Sequence, residues 1–428
     1  MKEQTLDLFA PVTRDQRQEE FRINWIKHKC CGTAEWATGT GKTRAATNCI
    51  SCVLEKYPDF KVIVIVPTQA LQEQWITTLD SLGLGLNCQV LVINTAIRET
   101  RTCDLLVIDE LHRVAADSFS QVFKKIKYRL ILGLTATFER LDGKHELIEK
   151  YCPVIDTITL EEARRNGWVS EYKEYQVIID VDDIEEYNKD NVQFYKHFDF
   201  FDRNFAKVMS LVGPDGFHNR LAYRDEICKT DDPEVRKETL KQITYHSVSF
   251  MRYLQARKAF INNHPKKIEI ARRIIEARPN SKIITFSNNI KMAEQIGGPV
   301  YSGKDSKKKG RITMEEFIAQ DAGVLNTIQK CNEGLNVPGL SVAIMLGIDS
   351  SKIKAVQRTG RTIRLEEPNK VAEIFNIVIN DTAELEWFRN SHAGRQYITI
   401  DEKGLEKVLN GEEPDPYKKP LKKLSFRF

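Results

Sequence analysis

Three short polar segments of this chain could together bind and cleave a nucleoside triphosphate. They are WATGTGKT at 36–43, DELH at 109–112 and QRTGRTIR at 357–364. A phosphate-binding loop, a magnesium-binding carboxylate pair and a distant arginine pair are the parts that ATP hydrolysis requires. We therefore predict an ATP-hydrolysing enzyme whose cofactors are ATP and Mg²⁺.

The first segment predicts a phosphate-binding loop at the start of a helix. Its glycines let backbone N–H groups turn inward around phosphates, where the helix dipole also favours an anion. The Lys42 ammonium is expected to reach the β- and γ-phosphates, and the Thr43 hydroxyl to bind Mg²⁺. The strict pattern has glycine at position 36, where this chain has Trp36. The predicted nucleotide-binding residues of the loop are Thr38, Gly39, Thr40, Gly41, Lys42 and Thr43.

The second segment predicts the catalytic carboxylates. Asp109 directly follows the apolar run 105–108, which places its carboxylate at a strand end where it can hold the magnesium ion. Glu110 is the candidate that orients or deprotonates the attacking water.

Short apolar runs precede these polar residues and predict the elements that position them. The runs 61–66, 105–108 and 130–134 lack alternation, as is typical of parallel strands buried on both faces. Ligands of such sheets bind at the carboxyl ends of the strands, so we expect these strand ends to share one crevice. The runs 282–287 and 342–346, with an amphipathic helix at 266–277, predict a second α/β domain.

Composition indicates a large enzyme of two to three domains. The 428 residues are 41% hydrophobic and 29% charged, and the net charge of +4 does not by itself indicate nucleic-acid binding. The nine cysteines have no regular spacing, and Cys49 and Cys52 fall within the helix expected after the loop, so we predict structural thiols in a reducing compartment. No targeting segment or membrane span is recognisable, which predicts a cytoplasmic protein without membrane contact.

The ordered motifs resemble those of helicase superfamily 2, and particularly of its XPB-like and phage UvsW-like members of the DExH type. The motifs are ATGTGKT at 37–43, VPTQALQEQW at 66–75, VIDELHR at 107–113, LGLTATFER at 132–140, NEGLNVPGLSVAI at 332–344 and QRTGRTIR at 357–364. The resemblance implies two RecA-like parallel-sheet domains in tandem, with ATP between them.

The resemblance also assigns roles to single residues. Gln357, Arg361 and Arg364 of the second domain would reach the γ-phosphate, and the Gly334 backbone would sense the nucleotide. Gln18 would recognise adenine, with Gln16 as the alternative, because Asp15 stands where the family has an arginine. Phosphate-directed contacts to a nucleic-acid strand would come from the hydroxyls of Thr68, Thr95 and Thr327.

We predict five segments along the chain. They are a tail at 1–10, a first RecA-like domain at 11–178, a mostly helical, aromatic-rich insertion at 179–262, a second RecA-like domain at 263–410 and a basic tail at 411–428. The insertion either packs its aromatics into a small core of its own or forms a thumb-like element that grips DNA. The residues Thr5 to Phe9 resemble peptides that bind a sliding clamp, or they pack on their own domain.

These expectations together predict a monomeric, ATP-dependent DNA helicase or translocase. It would act on branched or forked DNA without sequence specificity, in replication, recombination or repair. The alternatives are an RNA helicase and an ATP-gated switch or motor subunit that translocates without unwinding. The compact size favours a phage origin, which would place the protein in the cytoplasm of a bacterial host.

Overall fold

The computed structural model describes residues 12–115, 121–136, 145–169, 171–302, 307–328, 337–348, 371–415 and 417–418. The predicted positions Gln357, Arg361, Arg364 and Gly334 lie outside these residues, as does the segment from Thr5 to Phe9.

The first part of the chain folds into a parallel sheet with helices on both faces. Its strands are β1 (Cys31–Trp36), β2 (Val62–Val66), β3 (Cys88–Val92), β4 (Arg101–Thr102), β5 (Leu105–Asp109), β6 (Ile126–Lys127), β7 (Leu130–Thr135) and β8 (Val154–Ile158). Its helices are α1 (Arg14–Lys27), α2 (Lys42–Lys56), α3 (Gln69–Ser81), α4 (Ile93–Ala96), α5 (Val122–Lys125), α6 (His145–Glu149) and α7 (Leu160–Arg165). The six main strands are ordered β3-β2-β5-β7-β1-β8, and β4 pairs separately with β6.

Strand β2 explains why this sheet is buried on both faces. All five of its residues are buried, with Val62, Val64 and Val66 in one hydrophobic cluster. Ile63 and Ile65 belong to the cluster on the opposite face. Successive side chains of a strand point to opposite faces, so an unbroken apolar run supplies both cores at once.

The second part of the chain contains a parallel sheet of seven strands. They are β9 (Tyr172–Ile179), β10 (Lys282–Ser287), β11 (Val300–Tyr301), β12 (Gly323–Ile328), β13 (Leu340–Met345), β14 (Ala372–Ile379) and β15 (Ile398–Ile400). The helices that follow β9 are α8 (Ile184–Asp199), α9 (Phe205–Val212), α10 (Gly216–Ile227), α11 (Pro233–Asn263), α12 (Pro265–Glu276), α13 (Ile290–Ile296), α14 (Lys307–Ile318), α15 (Glu384–Ser391) and α16 (Glu402–Leu409). The strand order is β11-β12-β10-β13-β14-β9-β15, which confirms the expected pair of parallel-sheet domains.

Strand β9 corrects the expected organisation. It pairs along its whole length with β14 and also with β15, so residues 172–178 belong to the second sheet and not to the first domain. The helices α8 to α11 consequently lie, along the chain, between β9 and β10 of the same sheet, and so belong to the second domain. The sequence predicts the insertion between the two domains, and the pairing of β9 shows that it lies within the second.

The inserted helices form a hydrophobic core of their own, which confirms the prediction that the aromatic residues of this segment pack together. The core consists of Phe194, Phe198, Phe201, Val208, Leu211, Ile243, Phe250 and Leu254. At the base of the insertion, the Tyr187 hydroxyl accepts a hydrogen bond from the backbone N–H of Ala383 at 2.9 Å. The His264 Nε2 atom lies 2.9 Å from Asp183 Oδ1 at the same base. The insertion is therefore anchored to the second domain by polar contacts with residues that precede two of its helices.

Within the part of the chain that the structure covers, no helix has the length and apolar character needed to cross a membrane.

Candidate nucleotide site

Four neighbouring strands of the first sheet end at one edge, and each end carries a predicted functional segment. In the order β2-β5-β7-β1, these strands end at Val66, Asp109, Thr135 and Trp36. Thr68 follows the first of them by two residues. The sheet order thus confirms that the motif-bearing strand ends share one edge, as parallel strands require.

The loop after β1 has the backbone conformation of a phosphate cradle. Gly39 has φ 88° and Gly41 has φ 91°, both in the left-handed region that glycine adopts without strain. A Cβ atom at Gly41 would also collide with Gln18 Nε2. Helix α2 begins at Lys42, so its free N–H groups face the space that the loop encloses.

Some of the other loop side chains stabilise the loop by hydrogen bonds, and others are partly exposed to solvent. The buried Thr40 hydroxyl donates to the Ala37 carbonyl at 2.7 Å and supports the loop. The Lys42 ammonium donates to the Trp36 carbonyl at 2.9 Å, which keeps its charge beside the cradle. Thr38 and Thr43 are only half-buried.

The two carboxylates follow β5, where the backbone makes a sharp turn. Glu110 has φ 53°, a left-handed conformation that is uncommon outside glycine and is often found at functional sites. Its own backbone N–H donates to Asp109 Oδ1 at 2.9 Å. The second oxygen, Oδ2, accepts from the Trp75 indole N–H at 3.0 Å.

The environment of Asp109 disfavours its charge. Burial in protein raises the pKa of this carboxyl to about 6, and the neighbouring Glu110 adds to the increase. The Trp75 hydrogen bond and the Lys42 charge act in the opposite direction on the same pKa. A carboxylate held in such surroundings is stabilised by a cation placed next to it.

His112 joins the second motif to the end of the neighbouring strand. Its Nδ1 atom lies 3.0 Å from the Thr135 hydroxyl of β7 and 3.5 Å from Glu110 Oε2. Both His112 and Thr135 are buried. His112 therefore lies between Glu110 and the end of β7, where the segment LTATFER begins.

The structure distinguishes between the two glutamines proposed to recognise adenine. Gln18 is buried against the loop, with Nε2 3.5 Å from the Gly41 carbonyl. Its Oε1 atom is buried and has no hydrogen-bond partner within the described residues. Gln16 is exposed, and its side chain caps the start of α1 by accepting from the Thr13 N–H at 2.9 Å. The geometry favours Gln18.

A network that sequence reasoning missed fixes Trp36 at the start of the loop. The buried Trp36 indole donates to Asp156 Oδ2 at 2.6 Å, and Arg17 pairs with Asp156 Oδ1 at 2.7 Å. The Trp36 ring also packs edge-on against Phe21 at 5.1 Å. Nothing in the sequence around Asp156 signals this role, because the residue lies far from every motif. The network attaches α1, and with it Gln18, to the loop.

The three threonines expected to contact nucleic acid differ in accessibility. Thr68 is half-buried at the start of α3, and Thr95 is exposed in α4. Thr327 is fully buried in β12, and its hydroxyl donates to the Thr285 carbonyl of β10 at 2.7 Å. The structure therefore does not support Thr327 as a contact, because its hydroxyl already completes a bond inside the sheet.

Family models match both domains of the chain. Residues 12–102 and 89–140 match the model described as type III restriction enzyme, res subunit. Residues 266–366 match the helicase conserved C-terminal domain.

Proteins that are similar to this chain are named as helicases or translocases, and solved structures share its fold. The DNA 3'-5' translocase XPB2 of Sulfurisphaera tokodaii is 27% identical over 394 residues, covering 87% of this chain and 82% of that protein. The putative ATP-dependent RNA helicase MJ1505 of Methanocaldococcus jannaschii is 22% identical, covering 90% of this chain and 60% of that protein. The structure of S. cerevisiae Dbp5 bound to RNA and ADP BeF3 superposes with a TM-score of 0.56 at 13% identity, covering 92% of this chain and 91% of that one. At that identity the superposition shows a shared fold.

Proposed function

The chain belongs to helicase superfamily 2, in its XPB-like group, and from this membership we propose that it uses ATP hydrolysis to move along and unwind branched or forked DNA. Membership implies ATP use and nucleic-acid binding. The observation that carries the proposal furthest is the single sheet edge that brings together the loop, Asp109 with Glu110, and Thr135.

The first domain supplies the residues that would hold the nucleotide. The cradle and Lys42 would bind the phosphates, and Gln18 would recognise adenine through its amide. We propose that Mg²⁺ binds to the Thr43 hydroxyl and the Asp109 carboxylate, since oxygen atoms are the ligands this ion prefers. When bound, Mg²⁺ neutralises charge on the β- and γ-phosphates.

Hydrolysis would need both domains. Glu110 would orient the attacking water, and its proximity to His112 would connect this step to the end of β7. Gln357, Arg361 and Arg364 would complete the site from the second domain, with Gly334 sensing the nucleotide. Arginines that enter the site only after domain closure make hydrolysis depend on that closure.

Nucleic-acid contacts would come from the first domain and from the insertion. Thr68 and Thr95 remain the candidates for phosphate-directed hydroxyl contacts, which position a strand without reading its sequence. On the insertion, the most exposed aromatic residues are Phe200, Phe205, Phe217 and Tyr245. Exposed aromatic rings can stack on unpaired bases, whereas the buried rings of the insertion core cannot.

DNA is the proposed substrate because a relative that is 27% identical over 87% of this chain and 82% of its own length is named a DNA 3'-5' translocase. RNA remains the alternative, since another relative is named a putative RNA helicase. A role in replication, recombination or repair, a monomeric state, a sliding-clamp contact through the residues Thr5 to Phe9, a phage origin and a cytoplasmic location belong to the same proposal.

The deciding experiment measures ATPase stimulation by single-stranded, duplex, forked and four-way DNA and by RNA, together with unwinding of a labelled fork. We expect the largest stimulation with forked or four-way DNA. Stimulation by RNA that DNA cannot match would favour the RNA helicase, and stimulation without strand separation would favour the translocating switch.

Two variants test the assigned chemistry in the same assay. Lys42→Ala and Glu110→Gln should abolish ATP turnover while the melting temperature stays close to that of the wild type. Lys56→Ala is the matched control, because this exposed lysine ends the helix that Lys42 begins. Unchanged turnover in either active-site variant would refute its assignment.

A further inference from the structure

The Trp75 indole, like that of Trp36, donates its N–H to a carboxylate, and here the carboxylate is the candidate catalytic Asp109. Its ring is 1% exposed and packs within the main hydrophobic cluster of the first domain. Its N–H donates to a carboxylate oxygen, Asp109 Oδ2, at 3.0 Å. A hydrogen bond to a charged acceptor is stronger and more directional than one to a neutral carbonyl.

Both oxygens of the Asp109 carboxylate are consequently held. Oδ1 accepts from the Glu110 backbone N–H at 2.9 Å, and Oδ2 accepts from Trp75. The two donors lie on different elements, because Glu110 follows β5 and Trp75 belongs to α3. Rotation of the carboxylate about its χ2 angle would break at least one of these bonds. The orientation of Asp109 therefore depends on where α3 lies.

Helix α3 also carries the candidate strand contact Thr68. The Thr68 hydroxyl caps the helix by accepting from the Leu71 N–H at 3.3 Å. Trp75 is seven residues further on, which corresponds to about 10 Å along a helix. Trp75 and Leu79 are the residues of α3 that are buried. Leu71 packs against the same cluster, and the Gln72 amide donates to the Val90 carbonyl at 2.7 Å. A displacement at the start of α3 therefore reaches Trp75 through a continuous helix that contacts the sheet along one face.

We propose that Trp75 is a positioning residue that fixes the Asp109 carboxylate and connects it, through α3, to a nucleic-acid strand bound at Thr68. This inference rests on the proposed function. A strand that shifts the start of α3 would move the indole, and with it the Asp109 carboxylate that would hold Mg²⁺. Nucleic-acid stimulation of ATP hydrolysis would follow from this shift.

The test compares Trp75→Phe with Trp25→Phe. The first variant keeps an aromatic ring but loses the N–H donor to Asp109 together with part of the buried ring volume, and the control loses the same atoms elsewhere in the domain. The control loses an equally buried indole, whose N–H donates to the Ile131 backbone carbonyl at 3.0 Å in the same domain. In Trp75→Phe we expect the Mg²⁺ concentration for half-maximal ATPase to rise about tenfold, and nucleic-acid stimulation to fall by a similar factor. Trp25→Phe should lose stability and change neither quantity.

A second measurement needs no substitution at position 75. The chain has five tryptophans, so the wild-type protein labelled with ¹⁵N should give five indole N–H signals. We expect the Trp75 signal, identified by elimination after the other four are replaced singly, to shift when Mg²⁺ and a non-hydrolysable ATP analogue are added. The Trp25 signal should not shift.

The inference is overturned if the Mg²⁺ dependence and the stimulation of Trp75→Phe equal those of Trp25→Phe. It is equally overturned if the Trp75 signal is insensitive to Mg²⁺ with nucleotide. Failure of the proposed function looks different, since the wild-type ATPase would then respond to no nucleic acid at all.

Discussion

At the scale of single residues, two glutamines two positions apart have different environments. Gln18 presents a buried, unpartnered Oε1 beside the loop, within the residues that the structure covers, whereas Gln16 caps a helix. Adenine offers an amino group as donor and a ring nitrogen as acceptor, which together match one amide. The Gln16 side chain already caps the start of α1, so Gln18 is the one of the two that can make this pair of bonds.

Gln18→Ala should therefore raise the KM for ATP about tenfold and reduce the preference for ATP over GTP, because a pair of hydrogen bonds to the base is lost. Steady-state kinetics with both nucleotides measure the effect. Gln16→Ala is the control, for which we expect a lower melting temperature from the lost cap and an unchanged KM. The assignment is wrong if Gln16→Ala changes nucleotide preference and Gln18→Ala does not.

A second residue-scale feature is the buried ion pair of the second domain. Lys267 Nζ lies 2.5 Å from Glu384 Oε1 and donates to the Leu346 carbonyl at 2.9 Å, and both charged side chains are fully buried. Glu384 Oε2 accepts from the Ile379 N–H at 3.0 Å. The pair joins α12 to α15 and to the chain that leaves β13. Removing one partner would leave an uncompensated buried charge.

We expect Lys267→Met to lower the free energy of unfolding by about 3–5 kcal/mol, the usual range for a broken buried pair. The double variant Lys267→Met with Glu384→Leu should be less destabilised than either single variant, since no charge is left without a partner. Urea denaturation provides the measurement. Additive losses in the double variant would show that the two charges do not interact.

At the scale of elements, the insertion separates its aromatic residues into two sets. One set fills the core between α8, α9 and α11, and the other lies at the surface. Phe217 of α10 is 58% exposed, so its ring is accessible for stacking on a base. If the insertion grips DNA as a thumb-like element, only the few aromatic side chains at its surface are candidates for the contact.

Phe217→Ala should weaken binding of a forked DNA at least about fivefold, because stacking on a base contributes about 1–3 kcal/mol. Fluorescence anisotropy at fixed salt is the suitable assay. Val192→Ala, at an exposed apolar position on α8, controls for loss of surface area and should bind as the wild type does. Equal affinities of the two variants would remove Phe217 from the proposed contact surface.

At the scale of the whole molecule, the proposed function requires two domains to act on one γ-phosphate. The first domain contributes the loop and the carboxylates, and the second is expected to contribute the arginines. Binding of ATP to the first domain and its hydrolysis are therefore separable steps.

Arg361→Ala should reduce ATP turnover by about 10³-fold or more, in the range known for arginines that stabilise transferring phosphoryl groups, while binding of a fluorescent ATP analogue changes little. Turnover and equilibrium binding are measured on the same preparation. Arg389→Ala removes an exposed arginine from α15 of the same domain and should affect neither. Full turnover in Arg361→Ala would contradict the two-domain site.

The sequence alone determined the features that depend on neighbouring residues. Unbroken apolar runs identified β2, β5 and β7 of the first sheet and β10 and β13 of the second. The GxGKT pattern located a loop whose two glycines do have positive φ. The position of the adjacent residues Asp109 and Glu110 at the end of a strand was predictable for the same reason.

The tertiary structure decided what depends on residues far apart in the chain. It placed β9 in the second sheet, closed the Thr327 hydroxyl onto a neighbouring strand and set Asp156 against Trp36. It also brought Trp75 to Asp109 from a different helix. Strand order and long-range hydrogen bonds result from how elements pack, and local sequence patterns do not encode which distant side chain completes each contact.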